Sequence, residues 1–218
     1  MKPKHPNRRQ GLVLSLAAAT LSLISGCAPL VMGGAMIGGA MVATDRRTSG
    51  AQLEDEGIEL HSASRISERW GDKVHINVTS YNRRVLLTGE APDASTREQI
   101  ERLVSAVDNV QLIVNEIAVL GNSTLAQRSS DAVVTGRVKA GLVDAKDLSA
   151  NAFKVVTERG VTYLMGRVTQ READRATEVA RSTQGVQKVV RVFEFISEAE
   201  LSKLTAPPAS ASAPGPKP

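Results

Sequence analysis

The sequence predicts the α+β fold class: two tandem αββαβ domains, each a three-stranded sheet with two helices on one face. Three observations lead to this prediction, namely an internal repeat, helical spacing at the start of each copy, and alternating apolar residues after it. A shift of 77 residues places residues 76–78 on 153–155 and residues 85–89 on 162–166, and after one deleted residue the shift becomes 76. Self-similarity at a fixed period indicates one structural unit copied in tandem.

Each copy opens with a helix and continues into a strand hairpin. Apolar or small residues spaced i, i+4, i+8 predict the two opening helices, and they are Ile58, Ser62 and Ile66 in one copy and Val134, Val138 and Leu142 in the other. Alternating apolar residues predict the first strands, and they are Val74, Ile76 and Val78, then Phe153 and Val155. Polar turns follow, and each second strand ends at a glycine, Gly89 or Gly166.

A second helix and a last strand complete each copy. The second helix begins near Ser95 or Arg171, with Asp93 or Ser95 as the cap in the first copy. In the second copy, Thr169 and Glu172 have the spacing of a capping box. The last strands start at Val110 and Val186. One copy by itself is a small domain, and a domain this small is only marginally stable alone. We therefore expect the two copies to pack on each other.

The first thirty residues resemble the export signal of a bacterial lipoprotein. A basic stretch precedes an uncharged apolar run, Gly11 to Ile24, which is too short to span a bilayer comfortably. Ile24-Ser25-Gly26-Cys27 then resembles a lipobox, which implies cleavage between Gly26 and Cys27 and acylation of that cysteine. Cys27 is the sole cysteine of the chain, so no disulfide can form within it. Ala28 implies export to the outer membrane by the rule of such lipoproteins.

These signals divide the chain into five predicted regions. They are a signal peptide (1–26), a lipid anchor with a Gly/Ala-rich tether (27–53), two domains (54–120 and 129–197), and a disordered Pro/Ala/Ser tail (206–218). The apolar part of the tether, Leu30 to Ala43, has small residues four apart. It is interpreted either as a flexible linker or as a segment that lies at the bilayer surface or self-associates.

Charge and motif content argue against nucleic-acid binding and catalysis. The chain has 27 Lys and Arg against 23 Asp and Glu, and the excess of four lies in the basic stretch before residue 11, which is predicted to be removed. A nucleic-acid ligand requires a retained basic face. His61 and His75 have no Cys or carboxylate at metal-ligand spacing, and no catalytic motif occurs. We expect no metal, no cofactor and no enzymatic activity.

The two copies resemble BON domains. The resemblance rests on residues 74–89 (VHINVTSYNRRVLLTG) with 108–117, and on residues 153–166 (FKVVTERGVTYLMG) with Gly185-Val186-Gln187-Lys188-Val189. The first copy departs from the pattern where Asp108-Asn109 replaces x-Gly. Two copies behind a lipobox are similar to the tandem BON-domain outer-membrane lipoproteins of the division- and stress-associated, lipid-binding type. The resemblance implies an αββαβ fold, phospholipid binding, support of envelope integrity, and no catalysis.

The helix that opens the second copy is the candidate lipid-binding surface. Residues outside its core stripe are apolar or basic, and they are Val133, Arg137, Lys139, Ala140 and Val143. Such a helix suits an anionic bilayer, whereas the alternative is that Val133 and Val143 pack against the first copy. The predicted partners are the outer membrane through the anchor, anionic phospholipid and envelope proteins. The competing function is a non-catalytic scaffold, in which the domains, the Gly/Ala tether or the Pro-rich tail recruit an envelope partner. An exposed sheet edge or the last strand, Val189 to Ile196, would favour it.

Overall fold

The computed structural model describes residues 45–205. The first domain is formed by helix α1 (Ser49–Trp70), strands β1 (His75–Tyr81) and β2 (Arg84–Ala91), helix α2 (Ala94–Ser105), and the short strands β3 (Leu112–Asn115) and β4 (Ala118–Val119). Strand β2 is central, antiparallel to β1 and parallel to β3 and β4.

The second domain repeats this order. It is formed by helix α3 (Leu125–Asp144), strands β5 (Phe153–Glu158) and β6 (Val161–Val168), helix α4 (Gln170–Ser182) and strand β7 (Lys188–Phe195), after which helix α5 (Glu198–Thr205) follows. Strand β6 is central, antiparallel to β5 and parallel to β7. The predicted αββαβ order is therefore confirmed in both copies, and the additional helix α5 was not predicted from the sequence.

Each domain has its own apolar core between its helices and one face of its sheet. In the first domain, Ile58 and Ile66 of α1 and Ile100 of α2 pack on Val85 and Leu87 of β2. The second core uses the equivalent positions, with these side chains among those buried: Val134, Val138, Leu142, Leu164 and Ala176. The helical spacing in the sequence identified both core stripes correctly, because an i, i+4, i+8 pattern places side chains on one helix face.

The opposite faces of the two sheets pack against each other. A third apolar cluster joins Tyr81 and Leu86 of the first domain to Tyr163, Met165 and Val192 of the second. These residues alternate along their strands with the residues that face the helices, as the pleat of a strand requires. The sheet faces that point away from the helices are thus buried between the domains, which confirms the expectation that the two copies pack on each other.

Several boundaries differ from the prediction. Helix α1 begins at Ser49 and α3 at Leu125, and each is capped by a threonine, Thr48 or Thr124, whose hydroxyl accepts a backbone N–H of the first turn. Two predicted caps are confirmed: Asp93, one of the two candidates, caps α2, and Thr169 and Glu172 form the expected capping box on α4.

Asp55 has another role than the one its sequence position suggests. The acidic run at residues 54–56 resembles a helix N-terminus, where negative charge suits the helix dipole. Asp55 instead lies inside α1 and is buried, with 1% of its surface exposed. It accepts hydrogen bonds from the backbone N–H groups of Asn82 and Arg83, both at 2.7 Å, in the turn between β1 and β2.

Candidate membrane-facing helix

Helix α3 buries one stripe and exposes the opposite face. Thr124 and Gln127 form a capping box at its start, and Asp131, Val134, Val138 and Leu142 are buried against the second sheet. Because successive residues are about 100° apart on a helix, the residues between these positions face outward. The spacing of the buried residues therefore also determines which residues form the outward side of the helix.

The outer face of α3 is mostly apolar, and its one polar residue is the exposed Ser129 between Leu125 and Val133. Val133 is 54% exposed and Val143 is 67% exposed, and Leu125 at the start of the helix is 79% exposed. Gly136 and Ala140 lie between the two valines along this face, and Ala140 is also exposed. The alternative that Val133 and Val143 pack against the first copy is therefore wrong. We call this surface, formed by Leu125, Val133, Gly136, Ala140 and Val143, the outer face of α3.

Basic side chains flank the outer face on both sides, and the acidic side chain of Asp144 is exposed on the same flank as Arg137. Arg137 and Lys139 are exposed, and a separation of two residues turns the helix by about 200°, which places them on opposite flanks. The guanidinium of Arg137 donates one hydrogen bond of 3.4 Å to the carbonyl oxygen of Gln184. The five predicted lipid-binding residues thus lie on one exposed surface, although nothing in the geometry identifies its ligand.

The described chain begins beside the C-terminal half of α3. Asp45 lines a groove together with Lys139 and Val143. Arg46 is held in place next to it, because its guanidinium donates two hydrogen bonds, of 2.6 and 2.8 Å, to the carboxylate of Glu172 and a third, of 2.8 Å, to the carbonyl oxygen of Arg167. Both members of this ion pair are buried, with about 4% of each side chain exposed.

The electrostatics of Glu172 favour the charged form. Burial alone raises the pKa of a carboxyl group, but the hydrogen bonds from Arg46 and from the backbone N–H of Thr169 hold the pKa of Glu172 below its ordinary value. The same carboxylate closes the capping box of α4. The segment at Asp45 and Arg46 is therefore fixed to the second domain.

A second cluster of polar side chains lies between the domains. The Nδ1 atom of His75 is 2.9 Å from Oε2 of Glu90 and 3.9 Å from Oε1 of Glu158. Spacing along the sequence had indicated no carboxylate near His75. The cluster was missed because Glu158 belongs to the other domain, and the only available signal was that His75 and Glu90 occupy the polar faces of two adjacent strands.

Other sequence predictions lie outside the described residues. Gly26, Cys27, the apolar part of the tether and the Pro-rich tail fall in residues 1–44 and 206–218. Within residues 45–205, no helix is both long enough and apolar enough to cross a bilayer.

Known proteins resemble this chain over most of its length. The BON domain family matches residues 54–121 and 130–196. The chain is 35% identical to the outer membrane lipoprotein DolP of Haemophilus influenzae over 183 residues, which cover 83% of this chain and 94% of that protein. It is also 35% identical to the 21 kDa hemolysin of Actinobacillus pleuropneumoniae over 154 residues, which cover 70% of this chain and 79% of that protein.

One solved structure aligns with much lower similarity. The C-terminal domain of CdsD, the structural protein of the type III secretion system of Chlamydia trachomatis, aligns with 11% identity, covering 63% of this chain and 97% of that domain. The TM-score is 0.28, which supports no conclusion about fold or function.

Proposed function

This chain belongs to the family of BON-domain proteins and is an outer-membrane lipoprotein with two such domains, and from that membership we propose that it binds anionic phospholipid through the outer face of α3. In this way it supports the integrity of the bacterial envelope. The proposal includes cleavage between Gly26 and Cys27 and acylation of Cys27, and it requires no catalysis.

The exposure of Val133 and Val143 is the observation that carries the proposal. Exposed apolar side chains that occur singly need no explanation, whereas a contiguous apolar face flanked by polar residues is typical of an interaction site. Gly136 and Ala140 between the valines have short side chains, so the helix backbone can approach a surface closely. A helix that exposes such a face can lie in the plane of the bilayer interface with its outward apolar side chains among the acyl chains.

The flanking charges favour an anionic membrane. Arg137 and Lys139 are exposed on the two sides of the outer face, and their long side chains can extend along it towards the headgroups. Each basic residue near an anionic surface contributes about 1 kcal/mol, and the attraction weakens as salt screens it. A binding mode that combines these charges with two valines should therefore depend on both lipid charge and ionic strength.

The position of Asp45, where the described chain begins, is consistent with a membrane contact through the outer face of α3. Asp45 lies beside Lys139 and Val143, and the ion pair of Arg46 with Glu172 holds the backbone there. A chain that runs from a lipidated Cys27 to Asp45 therefore reaches the folded part next to the outer face of α3.

Co-sedimentation with vesicles tests the proposal. The mature chain with Cys27→Ser, which cannot be acylated, is mixed with vesicles of phosphatidylcholine alone or with added phosphatidylglycerol. We expect salt-sensitive binding to the anionic vesicles only, and we expect Val133→Asp to weaken it about tenfold, because a charge replaces about 1.4 kcal/mol of apolar contact. Leu60→Asp is the matched control, since Leu60 is 74% exposed on α1 of the other domain.

Two outcomes would contradict the proposal. One is an equal loss of binding in Val133→Asp and Leu60→Asp, which would indicate a contact that does not involve α3. The other is the absence of binding at every lipid composition, with unchanged circular dichroism and melting temperature for all variants.

The alternative function is a scaffold that recruits an envelope protein, and the last strand favours it. Among residues 45–205, strand β7 pairs with β6 alone and forms an edge of its sheet. Phe195 on this strand is 56% exposed, whereas Phe193 is buried in the second core. An open edge beside an exposed aromatic ring can accept a strand from a partner. If the chain binds no vesicles, this role is tested by a search for envelope proteins that bind the parent chain but not the Phe195→Ser variant.

A further inference from the structure

Three potential metal ligands from three strands meet at the contact between the domains. His75 of β1 and Glu90 of β2 are cross-strand neighbours in the first sheet, and Glu158 ends β5 of the second domain. One ligand atom from each of the three residues can be chosen so that all three atoms lie within 4.8 Å of one another. We call His75, Glu90 and Glu158 the interdomain cluster.

The interdomain cluster is buried and carries excess negative charge. None of the Glu90 side chain and 8% of the Glu158 side chain is exposed. Arg159 is the one cation that contacts either carboxylate among the described residues, with Nη1 at 3.1 Å from Oε1 of Glu90. Two carboxylates and one guanidinium leave one negative charge when His75 is neutral. Buried charges in proteins are paired or coordinate a metal.

The remaining contacts orient both carboxylates towards His75. Asn77 donates a hydrogen bond of 2.8 Å to Oε2 of Glu158, which leaves Oε1 turned to the imidazole. The backbone N–H and the hydroxyl of Ser123 each donate a hydrogen bond of 3.1 Å to Oε2 of Glu90. On Glu158 the hydrogen bond from Asn77 lies on the outer oxygen, as is common for carboxylate ligands of metal ions. On Glu90 both Ser123 donors bind Oε2, the oxygen that faces His75, so a bound ion would replace the Ser123 hydroxyl there.

We propose that His75, Glu90 and Glu158 bind one Zn²⁺ ion across the two domains, with water completing the coordination. Zn²⁺ accepts imidazole and carboxylate ligands together at about 2.0–2.2 Å, so neighbouring donors of a tetrahedral site are about 3.3 Å apart. The separations of 2.9 and 3.9 Å from Nδ1 of His75 lie on either side of that value. Ca²⁺ prefers six to eight oxygen ligands and Mg²⁺ prefers oxygen and water, so one nitrogen and two carboxylates favour zinc.

The proposed ion joins the first domain to the second. Two ligands belong to the first sheet and the third belongs to the hairpin of the other. Because a metal that binds only the assembled site stabilises that assembly, bound Zn²⁺ should hold the two sheets together. This role does not depend on phospholipid binding, since the interdomain cluster shares no residue with the outer face of α3.

Zinc titration of the untagged mature chain tests the proposal. Cys27→Ser removes the lipidated cysteine, which would otherwise be a competing thiol, and a chelator followed by gel filtration removes prior metal. We expect calorimetry to show one equivalent of Zn²⁺ bound per chain, a higher melting temperature, and no comparable effect of Mg²⁺. His75→Ala and Glu158→Gln should each weaken zinc binding at least tenfold. His61→Ala should not, because His61 is exposed on α1 and lies outside the interdomain cluster.

A second readout protects the test against misfolded variants. Glu158→Gln keeps the shape of the side chain and its hydrogen bond from Asn77, so its folding can be verified in the metal-free state by circular dichroism. Co²⁺ in place of Zn²⁺ should give a visible absorption band that disappears in this variant. The proposal is overturned if the metal-free protein takes up no Zn²⁺ at micromolar concentration. It is also overturned if folded Glu158→Gln binds Zn²⁺ as tightly as the parent chain.

Discussion

A single buried aspartate in each domain holds the hairpin turn to the first helix. Asp55 accepts hydrogen bonds from the backbone N–H groups of Asn82 and Arg83, and Asp131 accepts from those of Arg159 and Gly160. All four turn residues have a positive φ angle, as the central residues of tight hairpin turns do. Their N–H groups therefore point away from the strand ladder, and a carboxylate on the helix supplies the acceptor.

Asp55 has more donors to satisfy than Asp131. It also accepts a hydrogen bond of 2.6 Å from the hydroxyl of Ser80 and forms an ion pair of 2.8 Å with Arg47. We expect Asp55→Ala to lower the free energy of unfolding by about 4 kcal/mol, because it leaves several buried donors and a cation unpaired.

The equivalent change in the second domain should cost less. Asp131→Ala leaves two backbone N–H groups without their acceptor, and we expect a loss of about 2 kcal/mol. Urea unfolding followed by circular dichroism measures both variants. Equal losses, or a smaller loss for Asp55→Ala, would contradict this assignment of the two carboxylates.

At the scale of the element, the turn before the last strand is the same in both copies although the residues differ. Gly185 has a φ of 99° in the second domain, and Asn109 takes its place in the first with a φ of 68°. Asparagine is among the few side chains that tolerate this left-handed region. The departure from the BON pattern at Asp108-Asn109 therefore does not alter the turn.

Alanine at these two positions should have different effects. At Gly185 a Cβ atom would lie 2.6 Å from Cγ2 of Val134 on α3, in addition to the strain of the positive φ. We expect Gly185→Ala to destabilise the protein by about 3 kcal/mol and Asn109→Ala by about 1 kcal/mol. Thermal unfolding measures both, and a smaller loss for Gly185→Ala would mean that α3 does not pack tightly on this turn.

The helices and strands with a regular apolar period could be predicted from the sequence, whereas a break within a strand could not. Helical and alternating spacing identified the helices, the hairpins and the core positions, because burial of one face imposes these periods. The last strand of the first domain breaks into β3 and β4, since the side chain of Asn115 accepts the N–H of Ile117 at 3.1 Å. The equivalent strand β7 has no such break. A local side-chain hydrogen bond of this kind competes with the ladder without changing the apolar pattern.

The two candidate sites differ in how far the sequence reveals them. The outer face of α3 belongs to one helix, so Val133 and Val143 could be chosen from their spacing alone. Whether they were covered by the first domain depended on the packing of the domains, and the structure leaves them exposed. The interdomain cluster could not be derived from spacing, because His75 and Glu158 are brought together only when the two sheets meet.

At the scale of the whole molecule, the packing of the two sheets accounts for the environment of both tyrosines. Tyr81 and Tyr163 are the two tyrosines of the chain, and each is at most 5% exposed within the apolar cluster between the domains. Burial, reinforced by the nearby carboxylate of Asp45, raises the pKa of Tyr81 to about 12. Burial, reinforced by Glu116 and Glu158, also raises the pKa of Tyr163 to about 12.

These phenols report on whether the domains stay together. An exposed tyrosine ionises near pH 10, so the stability gained by keeping these two groups protonated is complete below about pH 10. It is lost as the pH rises towards 12, because the unfolded chain releases the protons first. In the parent chain, tyrosinate absorbance should therefore rise near pH 12 rather than near pH 10, and unfolding should become easier across that interval.

A charge between the sheets should move this transition. Met165 is fully buried among the apolar side chains between the two sheets, and Met165→Lys should separate the sheets while each core, which lies on the other face, stays intact. Both tyrosines should then titrate near pH 10, whereas Leu60→Lys on the exposed face of α1 should leave the titration unchanged. If Met165→Lys keeps the transition near pH 12, the domains remain packed despite a buried charge. If the parent chain already titrates near pH 10, the sheets do not pack face to face in solution, and the proposed metal site between them would lose its third ligand.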